Sequence, residues 1–392
     1  MEKRYPALAI GSFVVLALWG VILRLMFIFP LPGLNYTFLL HAHSHFAFSA
    51  WVFLSLAILT IHEISETKIS RSFHSLLIAT LLTSIGMLVS FSLQGYKAVS
   101  IVFSTLFILI NFYFCLIILR NKSLPSKFNS LSLRLLKSSL VYLCLSAIGP
   151  LSLGPLIAAG LKNAPVYHNA IYFYLHFQMN GWMLMSVLAV TVNRFIGKAT
   201  VINRNERRWA DLFIWSTLPL FLIFTLWSNT NGWIRVTAFA AAFFNLISWI
   251  KLLQILKKRQ LTLPPPAKVA LIALTTKIFF QTLICIPALG NWVFSQRNII
   301  IGYIHLLTLG TISPLILQLF TNHGFLQGKG LRFLHSAFIG SVIIYLLILF
   351  LQPFLALFFI QIPHYQVLLV CISAVLLIEG CLYLVSTKNR RR

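Results

Sequence analysis

The sequence predicts an all-α, polytopic membrane protein. Hydrophobic residues make up 59% of its 392 residues and charged residues only 9%, whereas a soluble domain carries about 25% charged residues. The apolar residues are also gathered into long runs. Because about 20 helical residues are needed to cross roughly 30 Å of hydrocarbon, each run of that length predicts a transmembrane helix.

Twelve runs meet this requirement, with charged or turn-forming residues between them. The predicted spans are 7–29, 36–61, 74–93, 98–119, 138–160, 166–192, 212–227, 233–256, 268–289, 299–320, 333–360 and 364–386. The seventh is the shortest. Only short loops separate the spans, so the prediction is a single twelve-helix transmembrane domain over residues 1–392.

The distribution of the 31 basic residues predicts the orientation. When loops are assigned alternately to two sides, one side receives only Arg24, Lys97, Lys162, Arg235 and Arg297. Lys277 lies inside a span, and every other basic residue falls on the opposite side. Cytoplasmic loops carry the excess of Lys and Arg, so both termini are predicted to be cytoplasmic, in a multi-pass protein of the cell (cytoplasmic) membrane. The net charge of +25 predicts contact with anionic membrane lipids; spread over short loops, it argues against a nucleic-acid partner.

Histidines recur near the outer end of three predicted spans. His41, His43 and His45 lie in the second span, His176 in the sixth and His305 in the tenth. All three spans enter the membrane from the same side, so these imidazoles are expected at a similar depth. A buried imidazole is costly without a partner, and neutral imidazole is a good ligand for iron or copper. The pattern therefore favours a shared cofactor site.

Helical geometry divides the three histidines of the second span. His41 and His45 are one turn apart on one face, whereas His43 points about 200° away from His41. His43 can instead serve as a packing residue, and His41 as an interfacial ring, so the ligand among the three stays open. Four further histidines near the cytoplasmic ends are expected to be solvated: His62, His74, His323 and His335.

This pattern resembles the large catalytic subunit of haem-copper oxidases and nitric oxide reductases. In that family, spans two and ten supply the axial ligands of a low-spin haem, and spans six and seven hold copper or iron. The resemblance implies His45, or His41 or His43, with His305 as an axial pair, and His176 as the span-six ligand. It also implies a quinol or cytochrome as electron donor.

The sequence departs from the family at the metal centre. The predicted seventh span has no histidine, the tenth has one, and LHFQMNGW lacks the histidine-proline-glutamate motif. A three-histidine copper site is therefore not expected. The divergent nitric-oxide-response members are the nearer resemblance, which implies a haem-binding protein for electron transfer or for binding nitric oxide or oxygen. Turnover as an oxidoreductase is left open.

Two charged residues within predicted spans support a different class of protein. Lys277 in the ninth span and Glu379 in the twelfth are costly inside a membrane and would serve as coupling groups of a twelve-span secondary transporter. The alternative for Lys277 is snorkelling to the cytoplasmic surface. A third, weaker hypothesis is an assembly subunit without a cofactor.

Overall fold

The computed structural model describes residues 4–65, 69–197, 200–228 and 230–387. Lys3, Lys68, Lys198 and the basic tail from Lys388 onward, which contributed to the predicted orientation, lie outside these ranges. Every regular element within them is a helix. The α-helices are Arg4–Leu25, Tyr36–Phe46, Leu54–Ile64, Arg71–Gln94, Ala98–Leu119, Leu124–Lys127, Ser130–Ser146, Ile148–Ala158, Pro165–His176, Leu184–Ile196, Arg204–Leu220, Gly232–Lys258, Pro265–Leu283, Pro287–Ser295, Arg297–Leu307, Ser313–Asn322, Leu331–Ala356 and Tyr365–Ser386.

The prediction of an all-helical, multi-pass protein is confirmed. In the described part of the chain, nine helices are long and apolar enough to cross a membrane, or ten if one bent pair counts as a span. The nine are Arg4–Leu25, Tyr36–Ile64, Arg71–Gln94, Ala98–Leu119, Ser130–Ala158, Gly232–Lys258, Arg297–Asn322, Leu331–Ala356 and Tyr365–Ser386. The count of twelve and the orientation of the termini stay predictions.

Three predicted spans account for the difference between the twelve predicted spans and the nine long apolar helices of the described residues. The sixth lies in one helical stretch from Pro165 to Ile196, whose polar side chains lower its hydropathy. The seventh corresponds to Arg204–Leu220, which begins among arginines, and a 3-10 turn, Phe221–Thr225. The ninth is broken rather than continuous: Pro265–Leu283 and Pro287–Ser295 meet at 116°, because Pro287 has no N–H to continue the helical hydrogen bonding.

Large apolar side chains cover the outward faces of several helices. Leu82 is 63% exposed, Leu93 76% and Leu382 49%, although each lies within a regular helix. Exposed apolar surface of this extent marks contact with lipid or another apolar partner. The described helices therefore have the surface of membrane spans.

The described chain divides into two compact units. Unit 1 comprises residues 1–117, 265–269 and 308–392, and unit 2 comprises residues 118–264 and 270–307. In unit 1, Arg4–Leu25 packs along Tyr365–Ser386; a Cβ on Gly380 would lie 3.2 Å from the Phe13 ring, so the glycine permits this close approach. Tyr36–Phe46 packs against Arg71–Gln94 in the same unit.

Unit 2 contains two closely packed helix pairs. Arg204–Leu220 lies against Gly232–Lys258, and Leu184–Ile196 lies against Ser130–Ser146. A capping box at Asn203 and Glu206 fixes the start of Arg204–Leu220, since each side chain bonds the other residue's backbone N–H. An apolar core completes the unit, formed by Leu220, Ile223, Leu226, Ala238, Ala241, Ala242 and Cys285.

Three helices contain a π-helical turn, and each turn follows a predicted ligand histidine. The π turns are Ala47–Phe53, Phe177–Met183 and Thr308–Ile312. They begin within three residues of His45, His176 and His305 respectively. Pro314 contributes to the third, because it cannot donate the α-helical hydrogen bond to Gly310. Single π turns inside α-helices occur frequently at functional sites.

Candidate functional site

His41 and His45 lie on one face in unit 1, as helical spacing predicted. The Nε2 atom of His45 lies 2.7 Å from the hydroxyl of Tyr96, and its ring stacks on Phe91 with centroids 4.3 Å apart. The His41 ring meets the same Tyr96 edge-on at 4.7 Å. These four residues, His41, His45, Phe91 and Tyr96, are called the His45 site below.

Gly95 positions Tyr96 at this site. Gly95 has a φ of +62°, and a Cβ there would lie 2.4 Å from the ring of Phe38. Only glycine accommodates both the left-handed backbone and the ring. His43 lies away from the His45 site, against the first helix: a Cβ on Gly20 would be 3.5 Å from its Cε1. This contact agrees with the packing role considered for His43.

Lys277 belongs to a buried polar cluster in unit 2. Its side chain is 1% exposed, so it does not snorkel to the surface. The ammonium group donates hydrogen bonds to Oδ1 of Asn180 and, at 3.0 Å, to Oε1 of Gln281. Its Nζ lies 5.8 Å from the centre of the Tyr303 ring. Together with His176, these residues are called the Lys277 cluster.

The hydrogen-bond directions in the Lys277 cluster can be worked out from chemistry. The Thr217 carbonyl can only accept, so Nε2 of His176, 2.8 Å away, carries a hydrogen and donates it. In a neutral ring Nδ1 then accepts from the Asn180 amide nitrogen at 3.1 Å. The oxygen of that same amide accepts from Lys277. A single directional chain thus links Lys277 to the Thr217 carbonyl, and both ring nitrogens of His176 are used within it.

The carboxylates of unit 2 form ion pairs with arginines. The sequence of this unit contains two acidic residues, Glu206 and Asp211. Glu206 pairs with Arg259 at 2.7 Å and Asp211 with Arg134 at 2.8 Å. Unit 2 therefore buries the Lys277 ammonium with neutral oxygen acceptors only.

His305 lies in the last turn of Arg297–Leu307. Its Nδ1 is 2.8 Å from the carbonyl oxygen of Ile301, one turn earlier. Because the carbonyl can only accept, Nδ1 carries the hydrogen and the neutral ring has its lone pair on Nε2. Metal-ligating histidines are commonly oriented in this way, with the second nitrogen donating to a backbone carbonyl.

Glu379 has its partner in unit 1. The Ser341 hydroxyl donates to its Oε1 at 2.8 Å. In the same unit His335 is buried, with Nδ1 2.8 Å from the Tyr383 hydroxyl and Nε2 3.0 Å from the Thr321 hydroxyl. The expectation of a solvated His335 is therefore wrong, because helix packing brings two hydroxyls to its ring.

Sequence reasoning missed Asn180, Tyr303 and a short repeat. His45, His176 and His305 are each followed after five positions by a small residue and after six by Trp or Thr. The matching segments are HFAFSAW, HFQMNGW and HLLTLGT. The repeat coincides with the three π turns, so it was the feature of the sequence that could have indicated them. Asn180 lies one turn after His176, and spacing alone could have suggested their contact.

Among residues 4–65, 69–197, 200–228 and 230–387, no three His, Cys, Asp or Glu side chains lie close enough together to hold a metal ion. The sequence matches no protein-family model, and no curated protein is detectably similar to it. The resemblance to haem-copper oxidases therefore depends on the histidine pattern.

Proposed function

We propose that the protein is a haem-binding membrane protein acting in electron transfer or in the binding of a diatomic gas such as nitric oxide. The observation that carries this proposal is the common local structure at His45, His176 and His305. Each histidine precedes a π turn in its own helix, and each is followed after five positions by a small residue and after six by Trp or Thr.

The three histidines fit an iron atom unequally. His305 has a suitable tautomer, since its Nδ1 donates to the Ile301 carbonyl and its lone pair is on Nε2. His45 fits if its Nε2 exchanges the hydroxyl of Tyr96 for iron. His176 uses both nitrogens in the Lys277 cluster, so we assign it to that cluster rather than to iron. His41, beside the same Tyr96, is the alternative to His45.

A haem bound at His305 or at His45 would supply one-electron redox chemistry, or an iron able to bind a diatomic gas. The protein's own contribution is to orient His305 through the Ile301 carbonyl and His45 through its stack on Phe91. Phe91 offers an apolar face beside His45. Neutral imidazole is the form that ligates iron.

Optical spectroscopy of protein produced with ample haem and purified in nanodiscs tests the proposal. We expect a Soret band and sharp α and β bands on reduction. His305→Ala and His45→Ala should each reduce or shift these bands. His168→Ala is the matched control, because His168 is exposed against Trp227 and should leave the spectrum unchanged. A colourless wild-type protein under these conditions contradicts haem binding.

A second candidate is a secondary transporter, and the burial of Lys277 favours it. Lys277 lies in unit 2 among neutral acceptors, while Glu379 in unit 1 is 4% exposed. Buried ionisable groups of this kind mark proton or ion pathways in membrane proteins. Proteoliposomes containing a pH-sensitive dye provide the test. Proton flux that disappears in Lys277→Gln, in a protein without haem, would favour this candidate over the first.

A further inference from the structure

We propose that Glu379 is a proton-binding site inside unit 1, and that Tyr383, His335 and Thr321 form the path by which its proton exchanges with water at the helix end. The inference does not depend on haem binding, because it uses none of the residues assigned to iron. It follows from two features of the unit: a buried carboxyl without a cationic partner, and three hydrogen-bonding side chains between this carboxyl and the end of its helix.

The Glu379 carboxyl is buried beside one neutral partner. Its residue is 4% exposed, and the Ser341 hydroxyl donates to Oε1 at 2.8 Å. The Oε2 atom is buried and, in the described part of the chain, has no hydrogen-bond partner. An ionised carboxylate in such surroundings is far more costly than a neutral carboxyl. The geometry therefore favours a carboxyl that carries a proton.

The helices around Glu379 bring no cation to it. Glu379 forms no ion pair with any described residue. Its helix, Tyr365–Ser386, packs along Arg4–Leu25 and Leu331–Ala356. The other titratable or charged side chains of these three helices are Arg4, Tyr5, Arg24, Arg332, His335, Tyr345, Tyr365, Cys371, Cys381 and Tyr383. Only the three arginines among them are permanently charged.

The three arginines lie away from the carboxyl along their helices. Gly380, the residue after the carboxyl, approaches Phe13. Arg4 is nine positions before Phe13, and Arg24 is eleven positions after it. Arg332 is nine positions before the serine that donates to the carboxyl. Since nine helical positions correspond to about 13 Å of rise, none of the three lies beside the carboxyl.

Three side chains connect the depth of Glu379 with the end of its helix. Glu379 is seven positions before the last residue of the helix, which corresponds to about 10 Å of rise. Tyr383 follows one turn later on the same face. Nδ1 of His335 lies 2.8 Å from the Tyr383 hydroxyl, and its Nε2 lies 3.0 Å from the Thr321 hydroxyl. Thr321 is the penultimate residue of its own helix and is partly exposed.

The hydrogen bonds define the direction of proton transfer. The Thr321 hydroxyl donates to the Leu317 carbonyl at 2.9 Å, so it accepts from Nε2 of His335, and Nδ1 of the neutral ring accepts from Tyr383. For release, Oε2 of Glu379 turns to the Tyr383 oxygen and passes its proton there, while Tyr383 passes its own proton to Nδ1. The imidazolium then loses its Nε2 proton to water at Thr321. One proton has left, the carboxyl is a carboxylate, and the phenol and imidazole are neutral again; uptake is the reverse.

Infrared spectroscopy of the full chain in dodecyl maltoside micelles, which contribute no carbonyl absorption, tests the proton-binding site. The chain has only six acidic residues. We expect the carbonyl band of a protonated carboxyl at neutral pH, shifted in D2O and lost in Glu379→Gln. Glu206→Gln is the matched control, because Glu206 is paired with Arg259, and it should leave the band unchanged. Absence of the band in the wild type, or the same band in Glu379→Gln, would overturn the inference.

Ser341→Ala keeps this test decisive if Glu379→Gln does not fold. The variant removes the hydrogen bond to Oε1, and a carbonyl released from a hydrogen bond absorbs at higher frequency. The band should therefore move to higher frequency in Ser341→Ala. A band at the wild-type frequency would overturn its assignment to Glu379.

The rate at which the same band shifts after dilution into D2O tests the path. Tyr383→Phe removes the hydroxyl and His335→Gln removes the group that takes up a proton, so each should slow the exchange several-fold. Tyr365→Phe is the matched control, because it removes a hydroxyl at the opposite end of the same helix, and it should exchange as fast as the wild type. Wild-type exchange in Tyr383→Phe or His335→Gln would overturn the path. The haem spectrum of each variant should stay unchanged, which separates this test from that of the proposed function.

Discussion

Replacing Gly181 by alanine should disturb the π turn that follows His176. A Cβ on Gly181 would lie 2.5 Å from the Cβ of Tyr142 and 2.8 Å from its Cγ. The Tyr142 Cβ cannot rotate away, because it is bonded directly to the backbone. The helix Ser130–Ser146, which contains Tyr142, would have to move away from the π turn. The hydroxyl of Tyr142 donates to the Ile214 carbonyl at 2.6 Å, and that bond resists the movement.

The expected loss of stability follows from two opposing terms. Overpacking of a well-packed interior costs about 1–3 kcal/mol. Replacing a helical glycine by alanine raises the free energy of unfolding by about 0.5–1 kcal/mol, because the unfolded chain then has less conformational freedom. We therefore expect Gly181→Ala to lower the free energy of unfolding by about 1–2 kcal/mol.

Thermal unfolding in nanodiscs, followed by tryptophan fluorescence, measures this effect. Gly340→Ala is the matched control, since Gly340 also lies within a helix and nothing lies within 4 Å of its ideal Cβ. The control should be neutral or stabilised by about 0.5–1 kcal/mol. If Gly181→Ala unfolds at the same temperature as Gly340→Ala, the close approach of Tyr142 to the π turn is refuted.

Two further predictions concern the Glu206–Arg259 ion pair and the His45 site. Burial raises the pKa of the Glu206 carboxyl, but hydrogen bonds and the charge of Arg259 outweigh this and hold the pKa below its usual value. A carboxyl whose pKa is lowered by folding stabilises the folded state above the unfolded pKa, and this stabilisation is lost as the pH falls through the folded pKa. The difference in melting temperature between wild type and Arg259→Gln should therefore be constant at neutral pH and shrink in acid. A difference that does not change with pH would contradict the pairing. Tyr96→Phe removes the hydroxyl bonded to His45 and should destabilise the haem-free protein by about 1 kcal/mol. The same variant should tighten haem binding in a spectroscopic titration, whereas unchanged or weaker binding would argue against His45 as an iron ligand.

Two features follow from the sequence alone: the chain is a helical membrane protein, and His41 and His45 share a helix face. Hydropathy is a sum over neighbouring residues, so long apolar runs predict spans without knowledge of the packing. The positions of His41 and His45 follow from the fixed helical rotation of about 100° per residue. The repeat of histidine, small residue and Trp or Thr is also present in the sequence, but only the structure shows that it coincides with the π turns.

Tertiary structure decided the partners of the buried polar groups. Lys277 bonds Asn180, which is 97 positions away in the sequence, and His335 bonds Tyr383 at a separation of 48. No spacing rule connects such residues, because their contact depends on which helices pack together. The burial of Lys277 likewise depends on packing. Buried polar groups are stabilised by partners from other helices, so the chemistry of the Lys277 cluster could be derived only after the helices had been placed.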